Sequence, residues 1–275
     1  MKKTLDFLMA KKNRRSPISM VTAYDFPTAR IEDAAGIDVV LVGDSVGTNM
    51  LGYGSEREVT MADMLHHAAA VARGVQNAYL LADLPFGSAK TPGDAEKNAR
   101  ALLATGIDGV KIEGWREQCG TIEHLTNKNI PVCAHIGYNP QVHGSKPKTF
   151  GMKAEEARLL FESALALEAA GAMMIVFEKI PGEVAGLITE RLRIPVVGIG
   201  SGPRCDGQVL VVNDILGTSE RTFKHAKRYM DFHTLVSAAI KNYSDDVENR
   251  VFPGPEHSAH CDEQELEKLK SLLGK

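Results

Sequence analysis

The stretch "IDVVLVGDSVG", Ile37 to Gly47, decides the reading of the chain. A mostly β-branched apolar run leads straight into Asp44, with Ser45 beside it. Such a run, without polar alternation, reads as a strand covered on both faces. The pattern recurs. "AYLLADLPFGS" ends its run at Asp83, "DGVKIEGW" at Lys111 and Glu113, and "AMMIVFEKIP" at Glu178. One acid at a strand end is ordinary, whereas four on separate strands point to a shared place and task.

Working outward, eight such runs alternate with helix-patterned segments: Ile18–Ala23, Val39–Gly43, Ala78–Asp83, Gly109–Ile112, Pro131–His135, Met173–Glu178, Pro195–Ile199 and Val209–Asn213. The helices have recognisable ends. Thr60 opens "TMADMLHHAAAVARG" with Asp63 three residues on, and Thr91 precedes Pro92 as N-cap and first helical residue. Gly36, Gly106 and Gly171 each close a helix before a strand, where a left-handed residue is needed. "AAGIDVVLVGD", "ATGIDGVKIEG" and "AAGAMMIVFEK" repeat that layout of helix end, glycine, strand and acid. Eight αβ units in a chain of 275 residues match a (β/α)₈ TIM barrel. An open doubly wound sheet is the alternative, and no G-x-G-x-x-G follows the first strand to favour it. The expectation is one barrel domain over residues 1–275. A short leading helix comes from "MKKTLDFLMAKKNRRS", and a helical C-terminal extension follows "PGPEHSAHCDEQ".

Composition narrows the classes. With 44% hydrophobic and 24% charged residues and a net charge of −3 spread along the chain, nothing resembles a basic patch for nucleic acid or an anionic membrane. No apolar run is long enough to span a bilayer, and the N-terminus lacks a secretory signal pattern. Cys119, Cys133, Cys205 and Cys261 show no C-x-x-C spacing. They read as reduced thiols of a cytoplasmic protein.

In a parallel barrel the C-terminal strand ends open on one face, where active sites lie. Asp44, Asp83, Glu113 and Glu178 then converge. Carboxylates that close repel one another and resist desolvation, which a hard cation offsets. Mg²⁺ suits one or two carboxylates, the rest being water and substrate oxygens. Each acid alone has a bland reading, as a helix cap for Asp44 or an ion pair for Glu113 and Glu178. Lys111, two residues before Glu113, points to the same side of its strand. It can neutralise a substrate carboxylate or a developing enolate oxygen, pair with an acid, or form a Schiff base. The density of acids favours a protonated lysine. Ser45 can donate to a bound carboxylate or cap a helix. His135 can be a packed hydrogen-bonder or a catalyst, and "GIGSGP", Gly198 to Pro203, a phosphate turn or a tight turn.

Together with "VTAYDFPTARIEDAAGIDVVLVGDSVGTNMLGY", the motifs "MLHHAAAVARG", "LLADLPFGS", "VKIEG", "VCAHIG", "VFEKIP", "GIGSGPRCDGQVLVVNDILG", "KRY" and "FPGPEHS" resemble the ketopantoate hydroxymethyltransferase family. The match runs in order from about Met20 to Ser258. The resemblance implies a (β/α)₈ barrel of the phosphoenolpyruvate/pyruvate group. It implies transfer of a hydroxymethyl group from 5,10-methylenetetrahydrofolate to 3-methyl-2-oxobutanoate, through an enolate stabilised by Mg²⁺, in pantothenate synthesis. At the matched positions it implies Mg²⁺ held by Asp44 and Asp83, with Glu113 as a third contact, direct or through water. Asp44, Ser45, Asp83 and Lys111 would contact the 2-oxo acid, and Glu178 would accept the proton. It also implies a homo-oligomer, commonly a decamer. The chain departs from the family at "HIGYNPQ" and in the following loop, "VHGSKPKTFGM", while the acid and lysine motifs are intact.

Two rival readings remain. One is a Mg²⁺-dependent carbon–carbon lyase or phosphonate mutase on the same barrel. Such lyases often use a loop cysteine, for which Cys205 is the only candidate. The other is a non-catalytic metal-binding barrel, which would not need both Lys111 and Glu178.

Overall fold

The acids that precede strands and the acids that follow them meet different fates, because the strands all run the same way. The structure, a computed structural model, describes residues 2–144, 148–218 and 223–274. Strands β1 (Ile18–Thr22), β2 (Val39–Val42), β3 (Tyr79–Asp83), β4 (Gly109–Glu113), β5 (Val132–Gly137), β6 (Met174–Glu178), β7 (Val196–Ile199) and β8 (Gly207–Leu210) pair in parallel. They close into a barrel, with β8 back against β1. Residues 145–147 of the divergent loop after β5 lie outside the described residues.

The apolar runs serve two layers. Met20, Val39, Leu41, Leu81, Cys133, Met174, Val176 and Val197 fill the barrel interior. Their alternates, such as Val40, Val42, Leu80, Ala82, Val110 and Ile175, pack outward against Ala29, Met64, Leu102, Leu160 and other helix residues. This double burial is why the strands lack polar alternation. The expected helix ends are present. Thr60 and Asp63 form a reciprocal capping box, Thr91 caps the helix Pro92–Leu103, and Gly36, Gly106 and Gly171 have φ of +85°, +104° and +98°.

The leading helix, Leu5–Asn13, seals the N-terminal face of the barrel. Leu8, 1% exposed, packs into the interior cluster. The lysines around it pair with the acids that precede strands: Lys2 with Asp108 at 2.6 Å, Lys3 with Asp38 at 3.1 Å and Lys12 with Asp206 at 2.7 Å. Each of those acids also accepts the first free N–H of an adjacent strand, from Ser19, Leu80 and Val196. They are therefore fully engaged in holding the barrel's lower rim.

One strand differs from the sequence expectation. The run Val209–Asn213 reads as a strand, but β8 is Gly207–Leu210 and a short helix, Val212–Leu216, follows. A Cβ at Gly207 would lie 2.4 Å from the Ile18 carbonyl oxygen, so this glycine marks where β8 meets β1 most closely. The helix then starts where Val212 N–H donates to the Thr22 hydroxyl at 3.0 Å. Beyond the barrel, the extension contains helices Phe232–Glu248 and Glu263–Leu272. The first leaves Leu235, Ile240, Tyr243 and Val247 exposed. Among the described residues no helix is long and apolar enough to cross a membrane.

Candidate active site

The acids that follow strands converge at the opposite rim. Asp44 lies two residues past β2, Asp83 ends β3, Lys111 and Glu113 lie on β4, His135 on β5, and Glu178 ends β6. Register brings them abreast, with Asp83 opposite Lys111, Glu113 opposite His135, and Gly137 opposite Glu178.

An unbroken line of contacts joins them. The Asp44 N–H donates to Asp83 Oδ2 at 3.0 Å. Lys111 Nζ donates to Asp83 Oδ1 at 2.6 Å and lies 3.8 Å from Glu113 Oε1. His135 Nδ1 is 3.1 Å from Glu113 Oε1, and its Nε2 is 3.3 Å from Glu178 Oε2. That last approach is an ion-pair distance outside hydrogen-bonding geometry, and Nε2 has no hydrogen-bond partner. Ser45 joins through Tyr24, whose hydroxyl is 2.8 Å from the serine oxygen.

Burial sets the electrostatics. Asp44, Asp83, Lys111, Glu113 and His135 are all under 8% exposed. Burial, then the charges of Asp83 and Glu113, push the Asp44 carboxyl well above the usual carboxylate range. Lys111 is desolvated too, but Asp83, Glu113 and Asp44 outweigh that and hold it protonated. Burial disfavours the His135 cation, yet Glu113 beside it pushes the ring up to about 9. Burial opposes the Glu113 carboxylate in turn, and His135 and Lys111 hold it below its ordinary value. The site thus sets two basic groups among four carboxyls, with Asp44 the one pushed toward its neutral form.

Glu178 is the most accessible of the group, its side chain 15% exposed. Two backbone features place it. A Cβ at Gly137 would lie 2.1 Å from the Glu178 carbonyl oxygen, so only glycine lets β5 and β6 approach there. Lys179 then turns the chain sharply at φ +51°, a left-handed conformation uncommon outside glycine. Its ammonium lies 4.8 Å over the Tyr138 ring.

The donor set suits a divalent cation. Asp83 is adjacent to Asp44, with Oδ2 accepting from the Asp44 N–H and Oδ1 from Lys111, and the burial and neighbouring negative charge that raise Asp44 are what a cation would offset. Glu113 has both oxygens engaged, by His135 Nδ1 and by the Gln141 N–H at 3.0 Å. Among the described residues no group of three or more His, Cys, Asp and Glu side chains is arranged to hold a metal. Two carboxylates completed by water and substrate oxygens is the arrangement Mg²⁺ favours, so the residues fit it.

Asp44, Ser45, Asp83, Lys111, Glu113, His135 and Glu178, all singled out from the sequence, lie on this rim. Gln141 and Tyr24 are additions. Gln141 Nε2 donates to Asp44 Oδ2 at 2.7 Å, and Tyr24 is 1% exposed beneath Ser45. The only sequence signal for either is position, a few residues past β5 and β1. Cys205 is half-buried on the β7–β8 connection, and burial pushes its thiol up to about 11. That is the environment of an inert cysteine.

Comparison with known proteins identifies the family and the fold. The family model described as ketopantoate hydroxymethyltransferase matches residues 2–255. A 3-methyl-2-oxobutanoate hydroxymethyltransferase of Chloroflexus aurantiacus is 46% identical over 269 residues, covering 97% of this chain and 96% of that protein. Among solved structures, a phosphonopyruvate hydrolase in complex with oxalate and Mg²⁺ superposes with a TM-score of 0.62 at 13% identity, over 100% of this chain and 99% of its own. A 2,3-dimethylmalate lyase, a member of the PEP mutase/isocitrate lyase superfamily, superposes with a TM-score of 0.57 at 15% identity, over 99% and 100%. These two share the barrel fold.

Proposed function

The chain belongs to the ketopantoate hydroxymethyltransferase family, and from that premise we propose that it transfers the one-carbon unit of 5,10-methylenetetrahydrofolate to 3-methyl-2-oxobutanoate, forming 2-dehydropantoate for pantothenate synthesis. The observation that carries the reading is the unbroken line from Asp44 to Glu178. It supports a cation-binding end at Asp44 and Asp83 and a proton-accepting end at Glu178 within one small site.

Each part of that line has a task. Asp44 and Asp83 would hold Mg²⁺, with Glu113 reaching it through water. When bound, Mg²⁺ would supply Lewis-acid polarisation of the keto group. Lys111, held protonated by three acids, gives a fixed positive charge to the oxygen that becomes the enolate oxyanion. Ser45, oriented by Tyr24, donates to the substrate carboxylate. Glu178 removes the proton on C3. A free carboxylate is a weak base for such a C–H, so its strength depends on how well the product oxyanion is stabilised. His135 presents its unpartnered Nε2 to Glu178 and orients it. C3 then bonds to the methylene carbon, both C–N bonds from that carbon to the folate break, and water supplies the hydroxyl oxygen. The proton taken from C3 and the one released by water end on the two folate nitrogens.

The exposed apolar residues of the helix Phe232–Glu248 favour a second copy of this chain as a partner. Sedimentation should then give a homo-oligomer, a decamer by the family's habit, and a purely monomeric species would refute this. A carbon–carbon lyase or phosphonate mutase activity on the same barrel is the alternative function, and the inert Cys205 weighs against the lyase. Product formation from 3-methyl-2-oxobutanoate assayed with and without 5,10-methylenetetrahydrofolate decides between them. Turnover that ignores the folate would sink the proposed reaction.

A further inference from the structure

Gln141 touches three separate parts of the site and belongs to none of the motifs that define it. Its side-chain amide donates to Asp44 Oδ2 at 2.7 Å and to the Leu84 carbonyl at 3.0 Å. Its backbone N–H donates to Glu113 Oε2 at 3.0 Å. It is carried by the one-turn helix Pro140–His143, far too short to be stable by itself. Something must hold that turn, and Arg57 does so from the loop after β2. Arg57 Nε donates to the Gln141 carbonyl at 2.7 Å and Nη2 to the Val142 carbonyl at 2.7 Å. These are orphan carbonyls of a helix end, and the guanidinium fork matches two of them at once. The same guanidinium lies 5.1 Å over the ring of Phe86, three residues past Asp83. Arg57 thus ties together the loops after β2, β3 and β5.

A neutral donor suits the Asp44 contact. An amide fixes one carboxylate oxygen without discharging it, whereas a lysine or arginine there would compete with a cation. We propose that Arg57 and Gln141 are a positioning pair: Arg57 fixes the short helix, and Gln141 on it fixes the Asp44 and Glu113 carboxylates for a divalent cation. The proposal rests on the reading of Asp44 as a cation ligand.

Mn²⁺ is the probe, with free Mn²⁺ followed by electron paramagnetic resonance and thermal melting recorded alongside. Gln141→Met, close in volume but without the donor, should weaken Mn²⁺ binding about tenfold, as loss of a partner behind a metal ligand does. Arg57→Ala should weaken it in the same direction. Arg57→Lys, which keeps the charge and loses the fork, should fall between Arg57→Ala and wild type. Because Arg57 acts largely through the Gln141 side chain, the double variant should lose less affinity than the two single losses combined, what remains being the backbone contact to Glu113 that Gln141→Met keeps. A merely structural role would lower the melting temperature and leave the affinity of the folded protein unchanged. Wild-type affinity in Gln141→Met, with affinity lost in Asp44→Asn, overturns the positioning pair alone. Additive losses in the double variant overturn the coupling. Wild-type affinity in Asp44→Asn removes the ligand assignment itself.

Discussion

His135 Nε2 stands 3.3 Å from Glu178 Oε2 while its other nitrogen faces Glu113 at 3.1 Å, so one ring connects Glu178 to the buried acids. Both ends of the imidazole meet carboxylates, and the ring is 2% exposed. It is a bridge held in place by charge, and the Nε2 that faces Glu178 is itself buried.

Glu178 is accordingly the residue whose loss should separate binding from chemistry. Glu178→Gln keeps the shape and the neighbour but cannot take a proton. It should bind 3-methyl-2-oxobutanoate with little change and slow exchange of the C3 proton in D₂O by at least ~100-fold. Proton NMR of the keto acid with Mg²⁺, then with a chelator, reads this directly. Rapid exchange in the variant would remove Glu178 as the base.

Asp83 is expected to act on metal and substrate together. Its Oδ2 accepts from the Asp44 backbone and its Oδ1 from Lys111, so it ties Asp44 to the protonated lysine. Asp83→Ala should weaken Mg²⁺ and keto-acid binding in step, by more than the ~10-fold typical of losing a group behind a metal ligand. Calorimetric titration of each ligand measures it. Unchanged Mg²⁺ binding would contradict the assignment.

Much of this rim is legible in the sequence, for a physical reason. Parallel strands with both faces buried must be apolar, so any charged residue at their ends stands out. Strand direction alone then sorts Asp38, Asp108 and Asp206 to one rim and Asp44, Asp83 and Glu178 to the other. Contacts made across long sequence separations leave no such trace. Gln141 reaches Asp44 97 residues away, and nothing in "HIGYNPQ" announces the partner. His135 stays ambiguous from sequence because both its readings place it at a strand end. The start of β8 is set by the approach of Gly207 to Ile18, a tertiary fact that the apolar pattern of Val209–Asn213 cannot carry.

Lys111 should matter to stability as well as to chemistry. It is buried among Asp83, Glu113 and Asp44, and removing one partner of a buried ion pair costs more than the pair contributes. Lys111→Met should lower the stability of the metal-free protein by about 3 kcal/mol. Added Mg²⁺ should recover part of that loss, because the ion replaces a missing positive charge. Thermal melting with Mg²⁺ and with a chelator tests this. Equal losses under both conditions would mean that the cation does not sit among these acids.

One buried carboxyl outside the strand-end site should make stability depend on pH. Glu32, on the helix Phe26–Ala34, is 7% exposed, and neither of its oxygens has a hydrogen-bond partner. Burial, with Asp25 nearby, pushes it up to about 8 from an ordinary value of 4.5. The folded state therefore holds a proton that the unfolded chain releases between those two values. Since the folded state binds more protons there, stability falls as pH rises from about 4.5 to about 8 and levels off beyond. Glu32→Met keeps the length of the side chain and removes the unpaired carboxyl. It should stabilise the protein at pH 8 by about 2 kcal/mol and much less near pH 5. Denaturant unfolding at both pH values reads the difference. A variant that gains equally at both would show that the effect is packing, because only ionisation of Glu32 ties the gain to pH.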